Sequence, residues 1–80
     1  MKTSTPDTIP INGSRLRHYR RDTRSPYRIG KTMSQSELSR VTGVSRSYIA
    51  EIEKGTKQPR MLVARALATA LEVDLDDLLS

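Results

Sequence analysis

Residues 34–55, SQSELSRVTGVSRSYIAEIEKG, constrain the fold of this chain more than any other segment. Ser34 followed three residues later by Glu37 is a capping box, a pattern that starts a helix. Gly43 lies in a short turn and Gly55 ends a second helix, because glycine tolerates the left-handed backbone needed there. Both helices carry their apolar residues on one side. The segment therefore predicts two short amphipathic helices joined by a tight turn.

The composition limits how such a chain can hold together. It has 80 residues, no cysteine and one histidine, which excludes disulfides and any metal site that needs several of these ligands. A chain this small must rely on helix–helix packing, to which dimerisation can add. No spacing of Ser, His and Asp places a nucleophile beside a base, so we expect no enzyme. The longest apolar run, 61–64, is too short for a membrane span, and no signal peptide is visible, so we expect a cytoplasmic protein.

Charge is distributed unevenly along the chain. The first 33 residues carry eight Lys/Arg and two Asp/Glu, whereas the last 14 carry four Asp/Glu and no Lys/Arg. This asymmetry and the net charge of +5 suggest a face that binds a polyanion, with a different surface opposite. The same charge would also serve solubility alone, so it favours nucleic acid without deciding the question.

The other segments also predict helices, and none alternates with period two as a strand would. We expect a flexible tail at 1–11, a first helix from about 15 to 22 or 23, a fourth from about 60 to 71 and a short fifth helix capped by Asp74. The fifth helix carries three leucines. The side chains expected to face the core are Leu16, Tyr19, Leu38, Val41, Val44, Ile49, Ile52, Leu67, Ala68 and Leu71.

With these features together, the chain resembles the phage-repressor or Cro-type (XRE-like) helix-turn-helix family. The resemblance covers about residues 12–79. It implies a compact all-α, five-helix lambda-repressor-like domain at 12–80, whose helices 2 and 3 form the helix-turn-helix and whose helix 3 enters the DNA major groove. Besides the segment 34–55, the matching residues are Arg15, Leu16, Arg17, Arg20, Pro59, Leu67, Ala68, Leu71, Glu72, Val73, Leu75 and Leu78.

The resemblance and the polar side of helix 3 assign the candidate contacts with DNA. Arg46 can donate two hydrogen bonds to guanine, and Glu51 can accept one from cytosine. The residues expected to read bases are Arg46, Ser47, Tyr48 and Glu51, and those expected to bind phosphate are Ser34, Gln35, Lys54, Lys57 and Arg60. Each of these can instead be an ordinary solvated residue, a helix cap or, for Tyr48, part of the core edge.

Arg20 and Glu53 are expected to serve structure. The resemblance implies an ion pair between them that joins helix 1 to helix 3. Glu53 also lies on the apolar side of its helix with Ile49 and Ile52, where an unpaired carboxylate would be costly.

The segment at about 24–32 departs from the family pattern. Arg20 and Gln35 are fifteen residues apart, more than the family spacing, which indicates an insertion. An ungapped alignment would use Arg28 instead, but it would place Pro26 inside the first helix. We expect a loop with Tyr27 and Ile29 packed against the body. Its cations, Arg24, Arg28 and Lys31, make it either a basic arm that reaches DNA or a tolerated surface insertion, and the sequence leaves both open.

Together these patterns predict a sequence-specific regulator of transcription, a repressor or autoregulator that needs no cofactor. Its expected ligand is double-stranded operator DNA with an inverted repeat, bound by a homodimer. The competing interpretation is an antitoxin or coactivator whose main partner is a protein. The chain ends after the fifth helix, so we expect no appended ligand domain. The predicted dimer surface is the C-terminal helix, with Val73, Leu75, Leu78 and Leu79.

Overall fold

The computed structural model describes residues 8–80. This part of the chain contains four α-helices and one 3₁₀ helix. Within that part the only β-type pairings are isolated bridges, which confirms an all-α domain. The predicted fifth helix is a single 3₁₀ turn rather than an α-helix. No described helix is long and apolar enough to cross a bilayer. The helices are α1 (Gly13–Asp22), α2 (Gln35–Thr42), α3 (Arg46–Lys54), α4 (Met61–Leu71) and the 3₁₀ helix Leu75–Leu78.

Local capping fixes both ends of the two motif helices. The Ser34 hydroxyl accepts from the Glu37 N–H at 3.1 Å, and the Glu37 carboxylate accepts from the Ser34 N–H at 3.0 Å, which closes the capping box. The Ser45 hydroxyl caps α3 by accepting from the Tyr48 N–H at 3.1 Å. Gly43 and Gly55 end α2 and α3 with φ of 79° and 85°. The turn between α2 and α3 is therefore specified by residues that lie within it.

The ends of α1 and α4 differ from a standard capping pattern. Asn12 caps α1 by accepting from the Arg15 N–H at 3.1 Å, so the helix begins two residues earlier than predicted. Arg60 precedes α4 without a side-chain cap. Glu72 ends α4 with φ of 58°, a left-handed conformation that costs a non-glycine residue about 1 kcal/mol. This is the one positive φ outside glycine among residues 8–80.

The core lies where α1 and α2 pack on α3 and α4 packs on α2, with the 3₁₀ helix against α1 and α4. Val41 was expected in this core, but it is 43% exposed. Helical periodicity placed it on the side of Leu38, yet α4 leaves that flank open beside Leu62. The buried apolar residues are Ile11, Leu16, Met33, Leu38, Val44, Ile49, Ile52, Ala64, Leu67, Ala68, Leu71 and Leu78.

Residues 8–11 belong to the folded body, so the predicted tail boundary at residue 11 is too late. The Ile9 N–H donates to the Pro59 carbonyl at 2.7 Å, and the Ile11 N–H donates to Gln58 Oε1 at 2.8 Å. Ile11 itself is only 2% exposed. Ile11 belongs to the buried core and Ile9 packs against it, so both isoleucines bury apolar surface. The rest of the predicted tail, residues 1–7, lies outside the described residues.

The 3₁₀ helix turns back onto its own chain, which corrects part of the predicted dimer surface. Leu78 is fully buried, and its carbonyl accepts from the Asn12 N–H at 2.7 Å. Leu78 therefore cannot contact a second copy. Val73, Leu75 and Leu79 are half-buried and pack against the core from its edge.

Candidate nucleic-acid interface

The polar face of α3 opens onto a shallow depression at the surface. Arg46 and Ser47, the first two residues of α3, are exposed, and Glu51 lies about one turn further along. No other described segment covers the start of the helix, so its side chains are accessible to a DNA groove. The depression is lined by Ser45, Ser47, Tyr48, Glu51 and Lys57.

Lys57 lies beside the predicted base-reading residues rather than apart from them. Its Nζ is 3.7 Å from Glu51 Oε1 and 5.8 Å from the centre of the Tyr48 ring. The Lys57 and Glu51 side chains are both about half exposed, so their ion pair is worth roughly 0–1 kcal/mol and can exchange for other partners. Tyr48 packs against the core edge and is half-buried. Glu51, Tyr48 and Lys57 thus form one unit on this face.

The N-terminus of α2 holds the predicted phosphate contacts Ser34 and Gln35. The Ser34 hydroxyl already accepts the Glu37 N–H of the capping box. The Gln35 amide points inward and donates to Glu53 Oε1 at 3.1 Å. Sequence reasoning placed Gln35 outside, because the first position of a helix is usually solvated. A phosphate at this helix end would therefore meet backbone N–H groups and at most one remaining amide N–H.

Lys54 and Arg60 flank the loop that follows α3. Lys54 is the last residue of α3, and Arg60 lies directly before α4. Both are exposed, and neither forms an ion pair with any residue between 8 and 80. Their charges are available to an external anion.

A buried ion pair fastens α1 to α3. Arg20 donates from Nε to Glu53 Oε2 at 2.6 Å and from Nη2 to Oε1 at 3.0 Å. The Glu53 side chain is fully buried and that of Arg20 is 11% exposed. Burial alone would raise the pKa of Glu53, but hydrogen bonds from Arg20 and Gln35 lower this pKa below its ordinary value. The structure thus brings the two predicted partners together, and Glu53 is charged.

Two further groups complete this pair, and sequence reasoning missed both. Arg17 Nε lies 3.5 Å from Glu53 Oε1, and Arg20 Nη1 donates to the Met33 carbonyl at 3.0 Å. Arg17 lies three residues before Arg20 and hence on the same side of α1, a spacing that could have revealed it. The Met33 carbonyl has no sequence signal.

The insertion is attached to the first turn of α2. Arg28 donates to both oxygens of Glu37, at 2.7 and 3.1 Å, and to the Thr32 carbonyl at 3.0 Å. The Ser25 hydroxyl also donates to Glu37, at 2.9 Å. One carboxylate therefore serves both the α2 capping box and the insertion. Arg28 is consequently not a free cation for DNA.

The prediction that Tyr27 and Ile29 pack against the apolar body is wrong, because Ile29 makes no such contact and Tyr27 contacts α2 through a cation. Ile29 is fully exposed and Tyr27 is 45% exposed. The Arg40 guanidinium of α2 stacks over the Tyr27 ring at 4.2 Å, so this ring meets a cation rather than the core. The insertion is held by polar contacts, which apolar patterning does not reveal.

Glu37 should make the stability of the protein sensitive to acid. The hydrogen bond from Arg28, with those from Ser34 and Ser25, lowers the pKa of Glu37 from 4.5 to about 2. A carboxylate with a lowered folded pKa stabilises the protein above its unfolded pKa, and this contribution is lost as the pH falls from 4.5 towards 2. We expect chemical unfolding between about pH 5 and pH 2 to show a steeper loss of stability for the wild type than for Glu37→Gln. Parallel curves would contradict this role of Glu37.

The fold and the exposed face of α3 define a helix-turn-helix protein. The chain belongs to the Cro-type (XRE-like) helix-turn-helix family, whose family model, described as Helix-turn-helix, matches residues 27–78. The match begins inside the insertion and leaves out α1, although Arg20 of α1 is paired with Glu53 of α3. The insertion at about 24–32 stays a prediction.

Among solved structures, the chain is similar to the restriction-modification controller protein C.AhdI from Aeromonas hydrophila. The two share 31% sequence identity, with a TM-score of 0.66. The similarity covers 81% of this chain and 86% of that chain. Comparison with curated proteins gives no match.

Proposed function

We propose that the protein is a sequence-specific DNA-binding regulator of transcription, acting in the cytoplasm as a repressor or autoregulator. The observation that carries this proposal is the accessible polar face of α3 in a chain of the helix-turn-helix family. The similarity to a controller protein supports the regulatory role. In this role α3 lies in the major groove, where base pairs present distinct patterns of donors and acceptors.

The start of α3 is proposed to read the bases. Arg46 has a free guanidinium and can donate to both O6 and N7 of guanine, and Ser47 can bond to either kind of base edge. Glu51 can accept from a cytosine amino group, and Lys57 beside it can donate to the guanine of the same pair. Separating the weak Glu51–Lys57 ion pair would cost little, so both side chains are available.

The phosphate contacts are proposed to lie on either side of this face. The backbone N–H groups at the start of α2 form one contact, and the exposed Lys54 and Arg60 form the other. These contacts set the position of α3 and make binding dependent on salt, without reading sequence.

A homodimer on an inverted repeat would supply the specificity that one short helix lacks. The half-buried Val73, Leu75 and Leu79 at the C-terminal edge are the residues that this dimer would use. Leu78 is excluded because it is buried in its own chain. Sedimentation or light scattering of the wild type beside Leu75→Asp tests the surface, and we expect the variant to be monomeric.

Changing Arg46 to alanine should relax sequence preference. We expect discrimination between the DNA upstream of this protein's gene and a random duplex to fall by about 1–3 kcal/mol. Lys54→Ala is the matched control, because it removes one charge from the end of the same helix. It should weaken binding to both duplexes alike and lower the slope of log K against log salt by about 0.9 per bound protomer. Titrations at several salt concentrations measure both quantities.

Two outcomes would overturn the proposed function. A wild-type protein without preference for upstream DNA and with a shallow salt slope would favour the protein-binding interpretation instead. Equal effects of Arg46→Ala and Lys54→Ala on both duplexes would show that the start of α3 does not read bases.

A further inference from the structure

The insertion folds as a small hairpin between α1 and α2. The Ser25 N–H donates to the Lys31 carbonyl at 2.8 Å, and the Met33 N–H donates to the Thr23 carbonyl at 2.8 Å. Gly30, with φ of 78°, forms the tip. We call residues 23–33 the hairpin. Its two arms are paired by backbone hydrogen bonds, unlike those of an irregular loop.

The hairpin is fixed in position relative to the DNA-binding motif. Arg28 and Ser25 bind Glu37, which lies in the first turn of α2. Arg40 of α2 stacks on Tyr27. These contacts hold one side of the hairpin against α2 and neutralise Arg28, so the remaining cations are carried at a defined place.

Two cations of the hairpin remain available to a ligand. Arg24 and Lys31 are exposed and form no ion pair within residues 8–80. They line the same open depression, so they lie on one side of the hairpin. The hairpin itself contains no Asp or Glu. The depression is completed by Asp22, Gly30 and Thr32. Arg24 also lines a neighbouring depression that contains Asp22 and Glu72.

The position of these cations brings them close to the expected path of the DNA backbone. Lys31 lies three residues before Ser34, the cap of α2, and three residues span at most about 10 Å. Successive phosphates of one strand advance only about 3.4 Å along the duplex axis. A phosphate bound at the start of α2 therefore has neighbours within reach of a lysine or arginine on the hairpin.

We propose that the hairpin is a second phosphate-binding element, in which Arg24 and Lys31 bind the strand next to the phosphate at the start of α2. This inference rests on the proposed function, because it requires that α2 and α3 dock on DNA. The two cations extend the contact along the backbone without reading sequence. Arg28 contributes indirectly by fastening the hairpin to Glu37.

The test measures salt dependence with Arg24→Gln, Lys31→Gln and the double variant. Each single change should lower the slope of log K against log salt by about 0.9 per bound protomer on the upstream duplex, and the double change by about 1.8 per bound protomer. The preference for upstream over random DNA should stay at the wild-type value. Arg65→Gln on α4 is the matched control, since it removes one exposed charge from another helix and should leave the slope unchanged.

Hydroxyl-radical footprinting gives an independent readout. The double variant should lose protection of a few sugars at equivalent positions in the two half-sites and keep the remaining protection. A wild-type slope and footprint in the double variant, or an equal loss in Arg65→Gln, would overturn the inference while the proposed function stands. A wild type without sequence preference or salt dependence would overturn both. Unchanged circular dichroism spectra would show that the exposed substitutions leave the fold intact.

Discussion

Glu53→Ala should lower the free energy of unfolding by about 3–5 kcal/mol, the usual cost of breaking a buried ion pair by removing one partner. The change removes the carboxylate that accepts from Arg20 and Gln35 and lies near Arg17. Arg20, with a side chain only 11% exposed, would keep its charge without its partner. Urea unfolding of the wild type and the variant at neutral pH measures the difference.

Replacing both partners together separates the cost of an unpaired charge from simple loss of packing. Arg20→Met with Glu53→Leu replaces both charges by apolar side chains of similar size, so no unpaired charge remains. We expect the double variant to be more stable than Glu53→Ala, because a buried pair can often be exchanged for apolar residues at little cost. A Glu53→Ala protein within about 1 kcal/mol of the wild type would show that the pair contributes as little as a surface pair.

Gly13→Ala should destabilise the protein by about 1–3 kcal/mol through overpacking. A Cβ on Gly13 would clash with the Glu53 carbonyl oxygen and would lie 2.6 Å from that of Ile52. Both atoms belong to the backbone, so α1 would have to move away from α3. Alanine favours helix over glycine by about 0.8–1.0 kcal/mol, which offsets part of this cost.

Ser14→Ala is the control for this change, because Ser14 is the next residue of α1 and is exposed. Thermal unfolding should place Ser14→Ala near the wild type and Gly13→Ala clearly below it. A Gly13→Ala protein more stable than the wild type would mean that helix propensity outweighs the close approach of α1 to α3. The same result would show that α1 can shift without disturbing the ion pair of Arg20.

The sequence predicts the motif helices well because their signals are local. Ser34 and Glu37 form the capping box three residues apart, and the glycines that end α2 and α3 adopt the left-handed conformation. The ion pair of Arg20 and Glu53 could also be predicted, since Glu53 lies on an apolar helix face. These features depend on spacing within the chain and on a family pattern.

The remaining features depend on contacts between distant segments. Ile11 was assigned to a tail because a few apolar residues beside a proline show no period, yet its N–H binds Gln58, 47 residues away. Val41 has the helical spacing of a core residue, but that spacing does not show how much of the α2 surface α4 covers. Likewise Arg28 looked free, because its partner Glu37 was already explained by the capping box.

Glu37 serves both the α2 capping box and the attachment of the hairpin. A capping box needs a carboxylate at the third position of its helix whether or not a hairpin is present. Arg28 and Ser25 therefore fasten the hairpin to a carboxylate that α2 already requires, whereas Met33 at the end of the hairpin is buried in the core and binds Arg20. Grafting residues 23–33 before the capping box of another helix-turn-helix domain should therefore give a hairpin that is fastened by its own arginine and serine.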